Sequence, residues 1–168
     1  MGRFLRIVVA GSTMLLAARI IAPPAAWANI KNWQTRKTIP GTEGITPGPD
    51  IRLDNWNSDD HNLRYADFSG GLDLSRSSFQ NTWLDNARFG RANLARANLY
   101  QARLTGADLT DAIVEIANFS LTTSLGFTSA QLYSTASYKN KNLQFTKFDW
   151  NELSGWNFAG QNLSGASF

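Results

Sequence analysis

Between Ala87 and Asp111 the chain reads ARFGR ANLAR ANLYQ ARLTG ADLTD, and each block of five repeats one arrangement. Ala comes first, Arg, Asn or Asp second, and Leu or Phe third. Followed outward, the third position holds Leu63, Phe68, Leu74, Phe79, Leu84, Phe89, Leu94, Leu99, Leu104, Leu109, Val114 and Phe119. After a gap it resumes with Leu143, Phe148, Leu153, Phe158, Leu163 and Phe168. Every one of these centres is apolar in a chain that is only 43% hydrophobic, so chance does not supply the pattern. A period of five matches neither the helical repeat of about 3.6 residues nor the two-residue alternation of a strand. On a helix the centres would spread around the circumference, which excludes a bundle. A chain that turns a corner every five residues instead points every fifth side chain at one axis.

Two places before the centre stands Ala at 66, 87, 92, 97, 102, 107, 112 and 117. A small residue there leaves room beside the large one, as a narrow interior requires. Gly, Ser, Thr, Asn and Asp fill the remaining places, as corners demand. The pattern A-(D/N)-L-x-x over roughly residues 61–168 resembles the pentapeptide-repeat family. That resemblance implies an all-β fold, a right-handed quadrilateral β-helix with four quintets to a square coil. Coils would stack at about 4.8 Å, with ladder partners some twenty residues apart and stability drawn from neighbouring coils. The segments PGTEGITPGP and STASY are similar to those of an exported subgroup of the family, whose members often end in a cell-surface sorting tail that is not seen here.

Five stretches follow. Residues 1–28 read as a signal peptide, with Arg3 and Arg6 ahead of the apolar run from Ile7 to Ala18 and Ala26-Trp27-Ala28 as the cleavage site. Arg19 weakens that apolar run. An uncleaved anchor is the competing reading, against which Arg19 and Pro23-Pro24 weigh. No stable membrane span is expected after cleavage near Ala28. Residues 29–60 lack the period and are expected to cap the first coil, or to form a linker, with Trp33, Ile39 and Ile45 as apolar anchors. Residues 61–119 form the first array, with a slip of one residue at Gly70-Gly71 that reads as a bulge. Residues 120–138 interrupt it, and Thr128-Ser129-Ala130-Gln131 fits a capping box opening a short helix near 129–136. Residues 139–168 form the second array.

Charge narrows the partners. Removing residues 1–28 takes away Arg3, Arg6 and Arg19 and no acid, leaving thirteen basic against thirteen acidic residues. No overall pull toward nucleic acid or anionic lipid survives, so nucleic acid is not an expected partner. Stacked by coil, Asp67, Arg88 and Asp108 fall in one column, Asn62, Trp83 and Arg103 in another, and Arg91 and Asp111 in a third. These predict opposite charges between coils and a cation–π contact at Trp83. Arg76 below Arg96 is a like-charge pair, either a site for an anionic partner or two solvated side chains. Trp156 replaces the usual Ala and opens its corner outward; with Trp150 it forms either a contact surface or packing for the inserted helix. Arg76, Arg96, Trp83, Trp150 and Trp156 are therefore the candidate interaction residues.

Catalytic and metal-binding chemistry has little to build on. His61 is the only histidine, there is no cysteine, and Asp59 and Asp60 beside His61 fall short of a zinc set. No phosphate loop or nucleophile elbow occurs. No cofactor, metal or catalytic residue is expected. The leading reading is an exported, non-enzymatic scaffold that meets an unknown protein or envelope partner. A second is a DNA-mimicking, topoisomerase-binding protein, which would need a cytoplasmic, strongly acidic chain. A third is a hydrolase at Asp59–His61. The uncapped end at Phe168 predicts either a homodimer through the C-terminal coil or a chain that continues.

Overall fold

The computed structural model describes residues 29–168; the leader expected at residues 1–28 lies outside them. The repeat is visible first at the corners. In most quintets the carbonyl of the centre accepts the N–H three residues on, as in Ala92 to Phe89 at 2.8 Å and Ala97 to Leu94 at 2.9 Å. The residue between, two after the centre, is left-handed: Asn81, Asn86, Arg91, Arg96 and Gln101 have φ between 52° and 64°. A four-residue turn with positive φ at its third place has the form of type II. Asn and Asp recur one place before the centre for a related reason. The Asn93 and Asn98 side chains each accept the N–H two residues ahead at 3.1 Å, and Asp108 does so at 2.9 Å.

Four such sides close a coil. Parallel bridges pair Asp73 with Asn93, Ser78 with Asn98, Trp83 with Arg103 and Arg88 with Asp108, each twenty residues apart, and continue to Ile113 and Asn118. The N–H of most centres runs along the axis to the next coil, as from Leu94 to the Ile113 carbonyl at 2.8 Å. The centres from Leu63 to Phe119, with Leu143 and Phe148, are buried, as are the alanines beside them. Each buried centre contributes roughly 1.5–3 kcal/mol. Phe68 and Phe89 stack at 5.1 Å on one side, and Phe79 meets both edge-on. At Gly70 and Gly71, both left-handed, the register slips from twenty to twenty-one between Asp67 and Arg88.

The described chain enters the stack earlier than the period suggests. Arg52 bridges Ser78, Leu53 is buried, and Asn55 occupies a left-handed corner, so residues 51–55 already wind as one side. Ile51 in the small-residue place, and Trp56 after it, hide this quintet from a search for Ala. Below it, Ile30 and Ile39 close the core, and Asn32 pairs with Ala66 in antiparallel sense, which blocks that edge.

The excursion after Phe119 contains a 3-10 turn, Thr123–Leu125, and two helices, α1 over Ser129–Ser134 and α2 over Ala136–Lys139. The Thr128–Gln131 capping box forms. The single helix expected over 129–136 is instead broken at Thr135, whose extended backbone ends α1 and whose hydroxyl accepts the Tyr138 N–H at the start of α2. Leu132 is buried, and the Gln131 side chain donates to the Leu104 and Ala107 carbonyls at 2.7 and 2.8 Å. Phe127 stacks on Phe119 at 4.7 Å, so the excursion is part of the core. Asn118 and Lys147 bridge 29 residues apart, and the register of twenty then resumes from Lys147 to Ser167.

The last four centres depart from expectation. Leu153, Phe158 and Leu163 are only half-buried and Phe168 is 58% exposed, because no described coil stacks beyond them.

Candidate functional site

The candidate interaction residues do not gather in one place. Trp83 lies between two guanidinium groups, Arg64 at 4.4 Å and Arg103 at 4.6 Å from its ring centre. Asp85, nearly buried, takes Arg103 at 2.7 Å and Arg64 at 3.4 Å, which closes the cluster upon itself. Trp83 thus contacts arginines from the coils on either side of its own. The column Asp67–Arg88–Asp108 has the expected register but not the expected ion pairs. Asp67 turns to Ser69, while the Arg88 guanidinium lies 3.7 Å over Trp33 of the N-terminal segment.

Arg76 is engaged within the chain. Asp50 binds it through two hydrogen bonds of 2.7 and 2.6 Å, and this pairing holds the Asp50 carboxyl below its ordinary range. Asp50 belongs to the aperiodic segment, so no column of the repeat could reveal the pair. Arg96, on the equivalent corner one coil beyond Arg76, lies beside a shallow cavity shared with Ile116, Phe145 and Lys147. At the other end, His61 stacks on Trp56 at 3.7 Å, and Asp59 lies 3.6 Å from Arg64. Among the described residues no three potential metal ligands come together.

Trp150 and Trp156 do share a site. Trp156, at the place Ala normally holds, is partly buried against the core and packs on Phe127 at 5.5 Å and Phe158 at 6.4 Å. Trp150 is 81% exposed on a left-handed corner with φ 63°. The equivalent corners that follow are Gly155, Gly160 and Gly165. Together Trp150, Trp156 and Phe127 line a cleft of about 500 Å3 against the start of α1. Asn151 fixes the wall between them, since its side-chain oxygen accepts the N–H groups of Thr122 and Thr123 at 2.8 and 2.9 Å and its amide donates to the Phe119 carbonyl at 2.7 Å. Glu152 sits at the rim. Hydrogen bonds from Ser154 hold its carboxyl below the ordinary range, so it is ionised at neutral pH. Glu152 was not visible as a site residue, because nothing in the period distinguishes it from other solvent-facing positions.

Stacked coils, closed corners and an aromatic cleft at one side define a structural repeat scaffold. Residues 73–111 match the family model described as pentapeptide repeats, in eight copies. The chain carries an array of pentapeptide repeats, and these imply a right-handed β-helix. A pentapeptide repeat protein from the thylakoid lumen of Arabidopsis thaliana, of known structure, is 23% identical, with a TM-score of 0.35. The match covers 70% of this chain and 61% of that one, so this chain spans about three fifths of that protein's length. No curated protein matches the sequence.

Proposed function

We propose that this chain is an exported scaffold without catalytic activity, whose coils hold one aromatic face toward a partner protein or envelope polymer. The observation that carries the reading is Trp150. Left-handed corners are ordinary along this stack, but here the corner carries an indole that is left almost wholly to solvent. An exposed aromatic on a rigid wall, next to a second aromatic and an excursion from the scaffold, is how a binding surface is built. The leader expected in residues 1–28 supports the exported half of the reading.

The test uses the full chain with an epitope tag, followed through cell fractionation and cross-linked to its envelope partners. The tag is expected outside the cytoplasm, and a partner captured by the wild type is expected to be lost from Trp150→Ala. Cytoplasmic residence, or equal capture by both chains, overturns the proposal. We further propose that a second copy covers the half-buried centres Leu153, Phe158 and Leu163.

A further inference from the structure

The cleft beside α1 has one sign of charge. Its walls are the rings of Trp150, Trp156 and Phe127, and its rim carries Thr123, Ser124 and Glu152. Glu152 is the sole ionisable group among the lining residues. The face of an indole attracts a cation within about 6 Å of its centre, and more strongly where water is displaced. A carboxylate at the rim of aromatic walls selects the same sign.

Three of the acceptors around the cleft already hold hydrogen bonds within the chain. The Thr123 hydroxyl accepts the Glu152 N–H at 3.0 Å, and one Glu152 oxygen accepts the Ser154 N–H at 3.0 Å. The Thr128 hydroxyl accepts the Gln131 N–H at 3.3 Å and donates to Gln131 Oε1 at 3.0 Å. A primary ammonium brings three N–H donors and needs acceptors for them. A quaternary ammonium brings none and spreads its charge over methyl groups that lie well on an aromatic wall.

We propose that this cleft binds a quaternary ammonium group, a trimethylammonium of the choline type, against Trp150 and Trp156 with Glu152 as counter-charge. The assignment rests on the reading of the cleft as the partner face and names the chemistry presented there. It also gives the exposed indole of Trp150 a use, since the glycine that stands at the next corner, Gly155, would remove the wall.

Calorimetric titration of the full chain tests it, with choline, its neutral carbon isostere and ethanolamine as probes. Choline is expected to saturate one site, with the isostere and ethanolamine at least about tenfold weaker. Trp150→Ala and Glu152→Gln are each expected to weaken choline by about tenfold or more. Trp150→Gly should lose choline yet melt no lower than the wild type, which separates lost binding from lost fold. Absence of a saturable isotherm, or equal binding of choline and either control, overturns the proposal. Phosphatidylcholine vesicles examine a lipid source. Retention that free choline competes away places the headgroup in the cleft, whereas retention unaffected by choline and by Glu152→Gln assigns Trp150 to the bilayer and overturns it. Partner capture that depends on Trp150 without choline binding would leave the partner face standing and remove this ligand. Choline binding with capture indifferent to Trp150 would do the reverse.

Discussion

One place before the centres, an Asn or Asp side chain receives the N–H two residues ahead, which is why those residue types dominate that position. Asp149 stands one place after its centre and does different work. Its carboxylate accepts hydroxyl hydrogen bonds from Ser167 at 2.7 Å and Ser120 at 3.2 Å, tying together the coils on either side. These bonds, Ser167 foremost, favour the charged form and hold the carboxyl below its ordinary range. A carboxyl with a lowered folded pKa contributes stability above its unfolded value, and that contribution is lost as pH falls through the folded one. Denaturant melts of Asp149→Asn are therefore expected to change less than those of the wild type as pH falls below about 4. Equal acid sensitivity would mean that the carboxylate does not link the coils. At this scale the sequence revealed residue types better than their partners. Trp83 was rightly placed beside Arg103, its column neighbour, but Arg64 on its other face comes from a different place in the quintet. Asp50, which neutralises Arg76, lies outside the period altogether.

Elements show the same division. The corners and the capping box were legible because each rests on local hydrogen bonding between near neighbours. The break at Thr135 was not, since α2 starts there on a second threonine cap and its Ala136 N–H reaches across to the Ala112 carbonyl at 2.9 Å. The first side, centred on Leu53, has Ile51 where the pattern has Ala and so gives the period no signal. Gly126 shows how closely the excursion fits the coil. It closes the 3-10 turn at φ 93°, and a Cβ built on it would meet the Thr105 hydroxyl and lie 2.8 Å from the Thr105 Cα. Gly126→Ala is expected to lower stability by about 2–3 kcal/mol in chemical denaturation. Gly155→Ala, left-handed but facing open space, is expected to cost only about 1 kcal/mol. Equal costs would show that backbone conformation alone, not contact with Thr105, fixes the glycine.

For the molecule as a whole, five-residue spacing was enough to foresee a stack of square coils, because the ladder repeats one local solution and each coil needs only its neighbours. How the stack ends was not foreseeable from a period. At the N-terminal side an antiparallel pair and Ile30 close it. At the other side Phe158 and Phe168 meet edge-on, 5.4 Å apart, with Phe168 largely open to solvent. Sedimentation equilibrium on the chain is expected to show a dimer that Phe158→Asp dissociates; a monomeric wild type would refute the shared end. The twenty-residue register has a further meaning for the cleft. Deleting one whole circuit from the first array would bring Trp150 nearer the N-terminal side by a single rung, about 4.8 Å, while preserving its compass bearing. Deleting one quintet would turn everything beyond it by a quarter revolution and aim the indole at a neighbouring side of the column. Height and heading of the aromatic cleft are thus separately adjustable by whole-number edits.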